Sequence, residues 1–273
     1  MKQKEPDNLT TSGIIALTTD FGQADWYVGV MKGVLLAGSP GCRPVDVCHA
    51  IPPGDVRAGA FCLLNSVPYF PAGTIHVAVV DPGVGSARRA LVAQAGGHYF
   101  VGPDNGIFSF ILERLSPWRA VAAEEERWAL KPISTTFHGR DLFAPLAAAL
   151  LNGHKIEELG TRLEDPVLLS FPRPRRIKDG RIQAEIIHVD RFGNLVTNLR
   201  REDPAKPDGP LRVSVAGAVI DGPRRCYEEA AEGELLLLWG SGGYLEISVC
   251  GGSAQTVLQA KVGDKVELTE DGE

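Results

Sequence analysis

Asp81 closes the apolar, β-branched run from Thr74 to Val80, Pro82-Gly83 turns the chain back, and Arg88 follows the acid in Asp81-Pro82-Gly83-Val84-Gly85-Ser86-Ala87-Arg88. The ends of strands are where open α/β sheets place ligand chemistry. A carboxylate and a guanidinium meeting there can hold and polarise a small reactant such as water, and the guanidinium favours the ionised form of its neighbour. A solvated ion pair on a surface turn is the plainer use of the same two residues. His138, in Phe137-His138-Gly139-Arg140-Asp141, adds a group that donates, accepts or shuttles a proton near neutral pH. Asp20, in Thr18-Thr19-Asp20-Phe21-Gly22, stands at another strand end, where an acid accepts hydrogen bonds from a ribose diol. An Asx-turn or a helix cap would use the same aspartate.

Two segments of the second half bear on recognition of a flat or anionic group. Phe192-Gly193-Asn194 sets an aromatic face beside an amide, which suits the faces and edge of a purine, although a hairpin turn with a core Phe has the same letters. Trp239-Gly240-Ser241-Gly242-Gly243-Tyr244 offers backbone N–H groups to a carboxylate, or is a simple β-turn. Kinase chemistry is excluded, because DFG precedes HGRD and no glycine-rich loop with its following lysine motif is present. Gly83-Val84-Gly85 is not a P-loop, since no Gly-Lys-Ser/Thr follows. A metal hydrolase using His49, His76, His98 or His138 with Asp81 or Asp104 lacks the helical ligand spacing such sites show.

These residues need a scaffold, and the first half supplies alternating strand and helix patterns. Strands are expected over Ile14–Thr19, Val45–Cys48 and Thr74–Val80. Helices are expected over Trp26–Leu36, from an Asp55 N-cap to about Val67, over Ile107–Leu115 and over Leu142–Leu151. Ala90–Gln94 and Tyr99–Val101 read as a hairpin joined at Gly96-Gly97. That order predicts an α/β unit with a mostly parallel sheet and helices on both faces. Phe171–Gly180 is rich in proline and charge and reads as a linker. Beyond it, Ile182–Val189, Leu211–Val215, Leu235–Trp239, Leu245–Val249 and Lys265–Leu268 are short strand-like runs, predicting a smaller all-β barrel-like unit. The expected boundaries are 12–170 for the α/β catalytic domain and 181–270 for the all-β domain.

Composition narrows the partners. A net charge of -6 and scattered basic residues argue against nucleic acid. Ile14-Ile15-Ala16-Leu17 is too short for a signal core or a membrane span. The 5 cysteines (Cys42, Cys48, Cys62, Cys226, Cys250) form no C-x-x-C pair, so no disulfide framework or structural zinc site is expected. They read as small buried apolar residues in a reducing cytoplasm.

In this order, TTDFG, DVCHAIPPGDVRAGAFCL, VVDPGVGSARR, VGPDNG, FHGRDLFAP, VDRFGNLVTN and GSGGYLEI resemble the adenosine-forming S-adenosylmethionine hydrolases, relatives of the fluorinase and chlorinase enzymes. The matched segments run from about Ile14 to Val249 and so span both expected domains. The resemblance implies a reaction in which water displaces methionine from ribose C5′ of S-adenosylmethionine, giving adenosine, with no metal and no cofactor. It implies Asp81, Arg88 and His138 as the catalytic triad and Asp20 as the ligand of the ribose hydroxyls. Phe192 and Asn194 would contact adenine, Asp190 the methionine amino group and Ser241 its carboxylate. It also implies a homotrimer with active sites between subunits, a small-molecule substrate and no membrane or nucleic-acid partner.

The halogenases, similar throughout, carry a Tyr where Asp81 stands, and an anionic Asp81 repels a halide. The fluorinase also has a Ser at the place of Gly139, an inserted loop in its first domain, and an Arg where this chain has Gly242. A halogenase, or a non-catalytic S-adenosylmethionine or adenosine sensor on the same fold, is the alternative expectation.

Overall fold

The computed structural model describes residues 9–177, 181–203 and 211–270, and the chain divides into two compact units, Met1–Phe171 and Pro172–Glu273. In the first, β1 (Ile14–Thr19), β2 (Arg43–Cys48) and β3 (Ile75–Val79) are linked by α1 (Tyr27–Gly38) and α2 (Val56–Ser66). The hairpin β4 (Ala90–Ala95) and β5 (His98–Pro103) follows, then α3 (Ser109–Arg114), β6 (Trp118–Ala123), α4 (Glu125–Trp128), α5 (Ala144–Leu151) and β7 (Gly160–Arg162). The sheet order is β2-β1-β3-β5-β4-β6-β7. The β1–β2, β1–β3 and β3–β5 pairings are parallel. The β4–β5, β4–β6 and β6–β7 pairings, which extend the sheet beyond the hairpin, are antiparallel.

Alternation along the strands feeds two cores. Ile15, Leu17, Ile75, Val77 and Val79 meet Met31 and Leu35 of α1 and Leu146, Ala147 and Leu150 of α5 on one face. Ala78, Ala93 and Phe100 meet Ala60, Leu63 and Leu64 of α2 and Ile111 and Leu112 of α3 on the other. Val28, Met31 and Leu35 recur at helical spacing, which turns one stripe of α1 inward. Burying each such leucine or methionine contributes on the order of 1.5–3 kcal/mol. Asp55 caps α2, its Oδ1 accepting from Ala58 N at 2.9 Å.

In the second unit β8 (Arg175–Arg176), β9 (Ile182–Val189), β10 (Leu195–Arg200), β11 (Leu211–Val215), β12 (Ala218–Gly222), β13 (Leu235–Trp239), β14 (Tyr244–Val249), α6 (Ala254–Leu258) and β15 (Lys265–Glu270) follow in turn. The sheet runs β12-β11-β15-β9-β10-β14-β13, with β8 added on β9. Ile182, Ala184 and Ile186 of β9, and Leu211, Val213 and Val215 of β11, alternate inward to a core shared with Leu237, Leu245 and Ile247. Arg224 N donates to Leu237 O at 2.8 Å, drawing the two edge strands together into a nearly closed, barrel-like sheet.

Three expectations are corrected. The linker segment holds structure, since Arg175–Arg176 pairs with β9, while residues 178–180 lie outside the described residues. The segment after Val189 is a hairpin turn, and it leads into a strand, β10, that the strand-like runs did not include. Of the cysteines only Cys42 is fully buried; Cys226 is exposed, and all five are free.

Candidate active site

The β2-β1-β3 order places a topological switch point between β1 and β3, because the chain leaves these neighbours in opposite directions. Asp20 follows the last residue of β1, and Asp81 comes just after β3; Thr19 and Val79 are register partners. The two acids therefore leave adjacent parallel strands at the same end of the sheet.

Each acid is fixed by neighbouring backbone. Asp20 Oδ2 accepts from Gly54 N at 2.8 Å, tying it to the Pro52-Pro53-Gly54 turn before α2. The loop itself is held by Gly22 N donating to His49 O at 2.7 Å and by Phe21 N donating to Thr19 Oγ1 at 3.2 Å. Asn105 Nδ2 donates to Val80 O at 2.8 Å, which fixes the carbonyl just before Asp81. Asn105 belongs to the VGPDNG segment, and its side chain does not reach the cleft lining.

The Asp81–Arg88 turn folds on itself through Val84 N to Asp81 O at 3.2 Å and Ser86 N to Gly83 O at 3.1 Å. Gly85 stands at φ 76, and a side chain there would run into the Thr135 carbonyl. That close approach sets the turn against the loop carrying His138. Phe137-His138 leads into a π-helical turn, Gly139–Phe143, which continues as α5. Asp141 locks it by accepting from Ser134 N at 2.8 Å and from Arg140 Nε at 2.6 Å.

The three residues form one buried array. Arg88 Nε donates to both Asp81 oxygens at 3.0 Å, and Arg88 Nη2 donates to Asp81 Oδ2 at 2.6 Å. Arg88 Nη2 also lies 2.7 Å from His138 Nδ1. A guanidinium has donors only, so Nδ1 is the acceptor and the ring proton sits on Nε2. Burial, and then the Arg88 charge, hold the His138 pKa below the usual imidazole range, in keeping with this neutral ring. The side chains of Arg88 and Asp81 are only 9% and 4% exposed. With Nδ1 occupied, His138 presents its Nε2–H, and the Asp81 carboxylate accepts three bonds from Arg88.

Asp20, Phe21, Tyr27, Val79, Asp81, Val84, Thr136, Phe137, His138 and Gly139 line a cleft of about 330 Å³. Phe21 and Phe137 lie inside motifs already singled out for their neighbours. Tyr27, at the start of α1, carried no signal of its own, because an aromatic there reads as part of the helix's apolar stripe.

In the second unit, Asp190 organises a turn. Its Oδ1 accepts from Phe192 N and Asn194 N, each at 2.9 Å, and its Oδ2 accepts from Asn194 Nδ2 at 2.8 Å. A carboxylate offers about four lone-pair sites, so one remains on Oδ2 for a further donor. Phe192 is 75% exposed, which rules out a core role, whereas Asn194 is buried with its amide 3.3 Å from the Tyr227 hydroxyl. Ser241 sits exposed in the β13–β14 turn. The Glu246 carboxylate fills the space a side chain at Gly240 would take. Its pKa is raised by burial and then by the charge of Asp190. Nothing in the spacing pointed to Glu246. Among the described residues no three His, Cys, Asp or Glu side chains cluster as metal ligands, and no helix is long and apolar enough to cross a membrane.

An acid–guanidinium–imidazole array at the switch point of an α/β unit, with a barrel-like unit behind it in the chain, defines an enzyme with a small-molecule site. Residues 15–160 match the SAM hydroxide adenosyltransferase N-terminal domain, and residues 184–267 match the corresponding C-terminal domain. The chain belongs to the SAM hydroxide adenosyltransferase family. A Salinispora tropica protein named (R)-S-adenosyl-L-methionine hydrolase is 41% identical over 258 residues, covering 93% of this chain and 97% of the relative. A crystal structure of an uncharacterized conserved protein from Thermotoga maritima superposes with a TM-score of 0.87 at 34% identity, covering 94% of this chain and 100% of that one. A fluorinase from an Actinoplanes species is more distant, 29% identical over 219 residues, or 71% of this chain and 74% of its own.

Proposed function

We propose that this chain hydrolyses S-adenosyl-L-methionine to adenosine and L-methionine by attack of water on ribose C5′. The observation that carries the reading is the Arg88 guanidinium joined at once to Asp81 and to His138 beside the cleft. In the step, one water O–H bond breaks and an O–C5′ bond forms while the C5′–S bond breaks. The electron pair of that bond leaves with sulfur as the neutral thioether of methionine, and the water proton passes to Asp81 and on to solvent. Arg88 orients the Asp81 carboxylate and occupies Nδ1 of His138. The Nε2–H of His138 then holds the oxygen as hydroxide character develops. The sulfonium is itself a good leaving group, so the protein's task is to position water in line with it.

Asp20 takes the ribose hydroxyls, Phe192 and Asn194 the adenine, Asp190 the methionine amino group and Ser241 its carboxylate. S-adenosylmethionine is substrate and no cofactor enters the step. The homotrimer is part of the same reading, and full activity from a hydrodynamic monomer across a dilution series overturns that part.

Incubation with S-adenosylmethionine in ¹⁸O-water, with and without excess chloride, tests the reaction. Adenosine carrying the label is expected in both tubes, and 5′-chloro-5′-deoxyadenosine would establish the halogenase instead. Asp81→Ala should abolish turnover and spare substrate binding; loss of binding overturns the role given to Asp81.

A further inference from the structure

The residues lining the cleft include two carboxylates, Asp20 and Asp81, and three aromatic rings, Phe21, Tyr27 and Phe137, with no lysine or arginine among them. His138 is neutral by the tautomer that Arg88 imposes. The rings do not stack flat. Phe21 and Phe137 lie 5.9 Å apart at 76°, Tyr27 and Phe137 5.1 Å apart at 88°, and Phe21 and Tyr27 5.9 Å apart at 56°. Phe21 and Tyr27, inclined to each other at 56°, make an open corner in which one cation can meet more than one π-electron face. A cluster that served only the core would be sealed off, yet Tyr27 is 37% exposed and Trp26, whose ring is 5.5 Å from it, is 67% exposed. Phe137 already has the Arg140 guanidinium over its ring at 5.2 Å, which leaves Phe21 and Tyr27 as the rings open to a further cation.

We propose that Phe21 and Tyr27 are specificity-determining residues that read the positive charge of an onium substrate, so that the cleft distinguishes a sulfonium from the corresponding thioether. This rests on the hydrolase reading of the site and deepens it. The two carboxylates also favour a cation, but their attraction survives removal of the rings, so the two contributions separate by substitution. The inference has a consequence for turnover. Breaking the C5′–S bond removes the sulfonium charge, and the ring contribution to binding goes with it, so both products are held more weakly than the substrate.

The test uses two unreactive ligands of similar size on the full chain. One is sinefungin, with a protonated amine where the sulfonium stands, and the other is the neutral thioether S-adenosylhomocysteine. Their dissociation constants are measured for the native chain, for Phe21→Leu and for Tyr27→Leu, with circular dichroism as the check on folding. The native chain should bind the cationic ligand more tightly by about tenfold or more. Each leucine variant should cut that ratio by about three- to tenfold while leaving thioether affinity within about twofold. Both ligands binding with an unchanged ratio in both variants overturns the assignment and leaves the hydrolase reading standing. Neither ligand binding the native chain overturns the hydrolase reading and this inference together.

Discussion

Arg88→Met takes the guanidinium out of the array while keeping most of the side-chain volume. Three hydrogen bonds to Asp81 and one to His138 Nδ1 are lost, and the Asp81 side chain, 4% exposed, is left without its counter-charge. Breaking a buried pair by removing one partner costs on the order of 3–5 kcal/mol, most of it the penalty of the stranded charge. The surface pair Arg212–Asp221, made through Nε at 2.7 Å and Nη2 at 3.3 Å but 43% and 56% exposed, serves as the control. Arg212→Met should leave stability unchanged within error, because solvent already screens that pair. Thermal melts of the three proteins read the difference directly, with Arg88→Met expected to lower Tm on the order of 10 °C. Adding Asp81→Asn to Arg88→Met removes the stranded charge and should restore part of the loss, while turnover stays absent in both. A drop in Arg88→Met no larger than in Arg212→Met would refute the argument, since Asp81 would then be solvated and the three residues would not act as one buried unit.

The paired His76 and His98 predict the acid limb of stability. His76 stacks on Phe100 at 5.4 Å and lies 3.4 Å from His98 Nδ1, and its burial pushes the imidazole pKa down from 6.5 to about 3. As pH falls below 6.5 the unfolded chain takes up a proton that the fold refuses until about 3, so the contribution is complete above that window and lost within it. Urea titrations at pH 7 and pH 5 should differ by about 2 kcal/mol from this residue, and His76→Phe should flatten the dependence; an equal slope in both proteins contradicts the burial argument. Asn105→Ala frees the Val80 carbonyl without touching substrate, so kcat should fall by about ten- to hundredfold with KM little changed. A change in KM alone would mean that Asn105 acts in binding.

The parts of the fold that the sequence disclosed are those where local preference and burial agree. β1 and β3 are β-branched or apolar runs that end at turn residues, and both were read to within a residue or two. β6, Trp-Arg-Ala-Val-Ala-Ala, was missed because alanines give little strand preference; its pairing with β4 makes it a strand. β10 was hidden by Thr197 and Asn198, polar residues that are nonetheless buried and hydrogen-bonded, Thr197 Oγ1 to Leu245 O at 2.9 Å and Asn198 Oδ1 from Glu185 N at 2.9 Å. In the site, the types and order of Asp81, Arg88 and His138 were visible, but the 2.7 Å contact across 50 residues was not. It depends on Gly85 seating one loop on the carbonyl of another, and such long-range approach leaves no periodic trace. Tyr27 and Glu246 were illegible for the same reason: only the folded sheet brings them to their neighbours.

The Asp190 turn has a consequence for encounter. Its carboxylate takes up backbone and side-chain N–H groups while Phe192 stands out into water, so the segment is frozen before any flat group reaches the ring. A loose loop would give up about 1–2 kcal/mol of backbone freedom per residue at the moment of contact. Here that loss falls at folding, so on the reading that gives the adenine to Phe192 the backbone of the turn is already ordered when the ring arrives. On that reading the ordering cost of the turn is absent from the encounter, and release is governed by how well the two faces stack.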